Sequence, residues 1–362
     1  MVPAATVSYS IVFLGTSSAS RGTGLARMRF DLESGAATVP ELATEVADPA
    51  LFVLSRNGAR LYLCHSGGLS AYAVDAVRGT LSLLNHRAAE ERGPSHVSLD
   101  HTGRFVLDAN YHGGFVEVLA LAADGSLGDR TALASHEGRS VHPERQTRAY
   151  PHCFTVDPTN RYAIAADLGA DRLVVYRFDD RTGSLAPHDP PFRSVTPGSG
   201  PRHLAWHPSG QWLYVVNELA SSVSLFRWDA AAGRLSDLQT ISTLPAYFAG
   251  DNTGAEIVVH PGGRVLYASN RGHDSLAVFA IDDASGRLTV LETIGMRGRT
   301  PRYFALDPGG SWLIANNRDS NTAVTFRIDA ATGRLTPHGD PVPIGRPTGV
   351  AFVPASGPGL GG

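Results

Sequence analysis

Cysteine is nearly missing. Cys64 and Cys153 are the only two in 362 residues, and they lie far apart without a partner motif. That excludes a disulfide framework and a cysteine-built zinc site, and a reducing compartment is expected. Long apolar runs are missing too. No window approaches the ~18 apolar residues of a membrane-spanning helix. The opening MVPAATVSYSIVFLGTSS has neither the basic region nor the apolar run of a secretory signal, so a cytoplasmic protein is expected. Neither sign of charge dominates. A net charge of −3 gives no electrostatic footprint for nucleic acid or an anionic membrane. No glycine-rich phosphate loop, HExxH or GxSxG is present, and no metal or cofactor is expected. Helix-favouring stretches of Ala, Leu, Glu and Lys are scarce as well.

What the chain has in quantity is turns. Its 39 Gly and 23 Pro are scattered rather than clustered. They punctuate a repeat: HVSLDHTGRFVLDAN, CFTVDPTNRYAIAAD, HLAWHPSGQWLYVVN, EIVVHPGGRVLYASN and YFALDPGGSWLIANN, with LFVLSRNGARLYLCH as a weaker copy. The turn residues Gly58, Gly103, Asn160, Gly210, Gly263 and Gly310 are separated by 45, 57, 50, 53 and 47 residues. Third strands such as LVVYRFD and VSLFRWD follow each hairpin, and turns such as DAAAGRL lead to a fourth. Four strands every 40–50 residues predict an all-β, seven-bladed β-propeller with antiparallel blades. Six blades are visible. The seventh is assembled from residues 9–36 and 348–353, which closes the ring with both ends of the chain and removes open sheet edges. One domain spanning 1–362 is expected.

Spacing inside the unit is constant. Seven residues after the turn stand His65, Asn110, Asp167, Asn217, Asn270 and Asn317, and nine before it Pro49, Pro94, Pro151, Pro201, Gly254 and Pro301. In a two-stranded hairpin both positions fall at one end. The entry column beside them reads Ser95–His96, His152–Cys153, Arg202–His203, Ala255–Glu256 and Arg302–Tyr303. The exit column adds Tyr111, Glu218, Arg271 and Arg318. One face of the propeller therefore gathers His96, His152, Arg202, His203, Glu218, Glu256, Arg271 and Arg302. Arginine offers a planar donor fork to carboxylate or phosphate, and Glu and His move protons near neutral pH. An anionic small-molecule partner is expected, held by a monomer or weak homodimer. The Asn/Asp column reads as strand-end bridging, with Asn317 also a candidate substrate contact. His101, His207 and His260 fall on the opposite, turn side and are expected at the surface. The long insertion HEGRSVHPERQTRAYPH leads into His152, so residues 136–150 should arch over the channel mouth and bring Arg145 and Gln146 to it.

At these residues the chain resembles a known family. HEG…PERQ…PH, DLGADRLVVYRFD, GPRHLAWHP…YVVNEL, AEIVVHP…YASNRGHDSLAVF and TPRYFALDP are similar to motifs of the seven-bladed lactonases, which include bacterial 6-phosphogluconolactonase and fungal carboxy-cis,cis-muconate cyclase. The resemblance spans nearly the whole chain. It implies an active centre of one His, two Arg and a Glu, falling on His152, Arg202, Glu218 and Arg271. The family's P-H-x-H pattern runs Pro151-His152-Cys153-Phe154 here, and its Asn-Glu at an early blade exit is His65-Ser66. The implied activity is hydrolysis of a sugar-acid lactone such as 6-phosphogluconolactone, with Glu218 or His152 as base and Arg302 and His203 orienting substrate. Alternatives are a cycloisomerase acting on an unsaturated dicarboxylate, and a non-enzymatic propeller that binds proteins.

Overall fold

Short apolar runs bounded by glycine turns leave little for a chain to do but form strands. In the computed structural model, which describes residues 9–18, 22–89 and 93–354, every regular element is a β-strand. Twenty-eight strands form seven four-stranded antiparallel sheets. The first blade joins the chain ends, in the order Val350–Phe352, Tyr9–Ser18, Gly22–Asp31, Glu41–Glu45. The other six run in sequence order from inner strands Pro49–Leu54, His96–Leu99, Pro151–Val156, Pro201–Trp206, Thr253–Val259 and Pro301–Leu306. Each inner strand packs on the next, and Val350–Phe352 touches both Pro301–Leu306 and Pro49–Leu54. That closed circuit is the propeller ring, and its axis is the channel. No helix among the described residues is long and apolar enough to cross a membrane.

The repeat's turn residues do what their identity suggests. All six have φ between 59° and 72°, the left-handed region that glycine enters without a steric penalty. Asn160 is the exception in type, and its side-chain amide donates to Asp100 Oδ2 of the preceding blade at 3.0 Å. The histidines expected at the surface there do more than sit in solvent. His207 and His260 donate from Nε2 to the carbonyls of Gly263 and Gly310 in the next blade, at 2.8 and 2.9 Å. His101 reaches the carbonyl of Asp157 at 3.0 Å in the same way.

Burial lies between blades rather than within them. Tyr214, Val216 and Leu225 of blade five pack on Ile257, Leu266 and Phe279 of blade six. Phe30 and Phe352 of blade one pack on Trp312 of blade seven. Each such side chain contributes about 1.5–3 kcal/mol on burial. A tyrosine bracket recurs: Tyr62, Tyr214 and Tyr267 donate from Oη to the carbonyls of Gly125, Gly286 and Gly333 in the following blade, at 3.0, 2.8 and 2.8 Å. Blades held in this way form a stiff frame, so side chains at the channel end keep fixed relative positions.

Candidate active site at the channel mouth

Pro151 pairs with Asp167, Pro201 with Asn217, Gly254 with Asn270 and Pro301 with Asn317. Just beyond each of these pairs the register slips, and the next paired residues are Cys153, His203, Ile257 and Tyr303. A bulge releases the intervening residue from the ladder and breaks the in–out alternation. The released residues are His152, Arg202, Arg302 and the Ala255–Glu256 pair. Consecutive side chains can then serve one cluster. Arg202 meets Glu218, while the ring of its neighbour His203 lies 5.1 Å from His152 and 5.4 Å from His96.

Glu218 is the electrostatic node. Arg145 donates to its Oε1 at 2.5 Å, and Arg202 Nε and Arg271 Nη2 lie 3.0 Å from its Oε2. Burial raises the Glu218 carboxyl, yet Arg271, Arg202 and Arg145 outweigh it and bring the pKa from 4.5 to about 2. Glu218 is therefore a permanent anion that accepts a proton poorly. It anchors three guanidiniums. Arg271 is lowered by burial to about 10 and stays charged at neutral pH. Three arginines share one carboxylate; Arg202 is fully buried, while the Arg271 and Arg145 side chains are 14% and 39% exposed.

Behind this node stand three imidazoles. His96 is bonded at both nitrogens, to Cys153 Sγ at 3.3 Å and from the Phe154 amide at 3.4 Å. His203 Nδ1 lies 2.9 Å from Glu256 Oε1. Burial, then the charges of Arg202 and other neighbours, holds His152 and His203 well below the ordinary imidazole value. Burial likewise brings His96 to about 3 and lifts Glu256 to about 7. Buried beside fixed cations, these imidazoles are neutral at neutral pH. Tyr303 lies across the group, its ring 5.6 Å from the Arg202 guanidinium and 5.8 Å from that of Arg302.

Several polar atoms here are buried without a protein partner: His152 Nδ1, Arg202 Nη2, His203 Nε2 and Arg271 Nε. An unmet buried donor or acceptor costs about 1–3 kcal/mol, and folded proteins rarely leave several in one place. Such a set can receive a ligand or ordered water. Arg271 and Arg145 reach from the Glu218 node to a cavity of about 540 Å³, which His142, Asn252, Thr300 and Arg318 also line. The insertion supplies two of these. It is pinned by Gln146, fully buried, which accepts from the His142 amide at 3.0 Å and donates to the Leu168 carbonyl at 2.9 Å. Its start is tied by His136, bonded to Asp167 Oδ2 at 2.8 Å and to Tyr176 Oη at 2.9 Å. Among the described residues no group of His, Cys, Asp and Glu is arranged to hold a metal ion.

A family model described as "Lactonase, 7-bladed beta-propeller" matches residues 11–352. The chain belongs to that lactonase family. A 6-phosphogluconolactonase of Bacillus subtilis is 36% identical over 301 residues, 82% of this chain and 85% of that one. A 6-phosphogluconolactonase of Formosa agariphila is 30% identical over 297 residues, 79% and 83% of the two chains. Among solved structures, a periplasmic gluconolactonase of Pseudomonas aeruginosa superposes with a TM-score of 0.89 at 32% identity, covering 96% of this chain and 99% of that one.

Within this lactonase frame, His152, Arg202, Glu218 and Arg271 lie together, and Arg145, His203, Glu256 and Arg302 join them. His96 takes part as a packing partner of His203. Asn317 does not face the group: its amide donates to the Met296 carbonyl at 3.0 Å, behind the strand end. Gln146 serves the loop, not the cavity. His65 turns to Ser70 Oγ at 2.9 Å and lies tilted against His86 at 5.2 Å, away from the group. Tyr303, His142 and Arg318 are cavity or cluster residues that sequence reasoning did not select. Tyr303 and Arg318 occupy the same columns as the candidates, and that shared register was the signal available.

Proposed function

We propose that this chain hydrolyses a sugar-acid lactone, 6-phosphogluconolactone, at the channel mouth. The observation that carries the reading is the surplus of positive charge around Glu218, with unpartnered donors beside it and an open cavity lined by Arg271 and Arg145. A phosphate monoester carries about −1.5 to −2 charge at neutral pH, which matches that surplus. In this reading Arg271, Arg145 and Arg318 receive the phosphate in the wide cavity, and the lactone ring enters toward Arg202. The unpartnered Arg202 Nη2 then donates to the carbonyl oxygen, where negative charge develops as water adds. The relatives named 6-phosphogluconolactonase and gluconolactonase support the same substrate class.

The reaction is followed by acid release or by coupled 6-phosphogluconate detection, with 6-phosphogluconolactone and glucono-δ-lactone offered separately. Wild type is expected to turn over the phosphorylated lactone with the higher kcat/KM. Arg202→Ala should lower kcat by about 10²–10³-fold, the loss seen when one oxyanion donor is removed. Absence of turnover with either lactone, or an unchanged kcat in Arg202→Ala, overturns the reading.

A further inference from the structure

Three imidazoles converge beside Arg202, and among the described contacts only one of the three is held by a carboxylate. His203 Nδ1 lies 2.9 Å from Glu256 Oε1. That oxygen also accepts the Ile257 backbone N–H at 3.0 Å. Above about pH 7, where Glu256 is ionised, that carboxylate accepts from Nδ1–H and Nε2 carries the lone pair. His203 Nε2 is buried and has no partner. His96 lies edge-on to the ring at 5.4 Å with both of its own nitrogens engaged, and Tyr303 flanks it at 6.0 Å. The ring is thus fixed in tautomer and in tilt, with one free acceptor. His152 has no such carboxylate and leaves its Nδ1 unbonded.

The geometry points to His203 as the general base of the hydrolysis and to Glu256 as the residue that positions it. This deepens the lactonase reading and rests on it. Water gives one proton to His203 Nε2 as its oxygen bonds to the lactone carbonyl carbon, and the oxyanion forms opposite Arg202. The imidazolium pairs with the Glu256 carboxylate. The tetrahedral adduct collapses, the ring C–O bond breaks, and the imidazolium returns its proton to the departing ring oxygen. The product is an open-chain hydroxy acid that ionises in water. No oxidant, reductant or further reactant enters. Charged and titratable groups facing His203 from the surrounding strands are His96, His152, Cys153, Arg202, Glu218, Arg271, Arg302 and Tyr303. The cations disfavour an imidazolium, Glu218 opposes them, and Glu256 is the carboxylate in direct contact with the ring.

The test pairs a substrate-free readout with kinetics. Nitrogen-15 NMR of histidine-labelled wild type, with His203 identified by loss of its signals in His203→Gln, should show the Nδ1–H tautomer. Glu256→Gln should lower kcat by about 10²–10⁴-fold with little change in KM, and Glu256→Asp should recover part of it. Wild-type kcat should fall as pH drops through about 7, where the pair takes up its first proton, and in Glu256→Gln that limb should move to lower pH. A purely structural role would leave the limb in place. Lactone turnover with kcat within threefold of wild type in Glu256→Gln, or an Nε2–H tautomer at His203, overturns the inference while leaving the lactonase reading intact. If no lactone is turned over, that reading fails and the tautomer alone decides the pairing. If Glu256→Gln does not fold, the wild-type tautomer still separates the two outcomes: Nδ1–H supports the pairing and Nε2–H overturns it.

Discussion

At the scale of single residues, Glu218 shows how burial and charge compete. Desolvation alone would favour its neutral form, but three guanidiniums within 3.0 Å reverse the balance. The folded-state carboxyl is depressed relative to the unfolded chain. Its contribution to stability is thus full above the ordinary value of 4.5 and is lost as pH falls toward about 2. Glu218→Gln removes the charge and leaves the buried Arg202 and its neighbours Arg271 and Arg145 facing one another, a change of roughly 3–5 kcal/mol. The urea midpoint should drop markedly at neutral pH in the variant. The gap to wild type should hold steady above about pH 5 and close as the acid range is entered, where wild type loses the same charge. A gap independent of pH down to the acid limit would show that Glu218 does not act through its charge.

At the scale of strands and loops, the hairpin ruler was legible because two positions at a fixed spacing had to share one end of a blade. Pro201 and Asn217 pair as that spacing requires. The bulge after Pro201 was not legible, since nothing in GPRH distinguishes a slipped register from a straight one. Yet the bulge is what brings Arg202 and His203 to the same cluster. The His203–Glu256 contact joins residues 53 apart in sequence, across two blades, and no local pattern encodes it. Arg145 was expected near the mouth from the insertion's length, but its bond to Glu218 depends on how the loop is pinned. Gln146 is that pin. In Gln146→Ala the His142 amide and the Leu168 carbonyl lose their buried partner, at about 1–3 kcal/mol each. Amide exchange at His142 should quicken by about 10–100-fold while exchange in the blade strands stays as in wild type. Faster exchange spread through blades four and five would instead assign Gln146 to the frame of the propeller.

At the scale of the whole molecule, ring closure is the constraint on which the mouth geometry rests. The site draws residues from blades three through seven, and those blades keep their spacing only if the circuit is complete. The closing contact is small. Val12, Phe13 and Leu14 pair with Phe352, Ala351 and Val350. Asn316 donates from Nδ2 to the Thr348 carbonyl at 2.7 Å, and Ser10 Oγ donates to the Val353 carbonyl at 2.8 Å. Phe352 and Val353 are 6% and 2% exposed, so their loss removes about 1.5–3 kcal/mol apiece and uncovers Phe30 and Phe13 beneath them. It also bares the backbone edge of Tyr9–Ser18, a template for pairing with another chain. Truncation after Gly345 should therefore lower the thermal midpoint, promote self-association on gel filtration and cut lactone turnover, although every charged residue of the mouth remains. Truncation after Pro354 keeps each of these contacts and should match wild type. If the shorter chain stays monomeric with an unchanged midpoint, the blades hold their positions without the circuit, and the mouth is organised by neighbouring blade contacts alone.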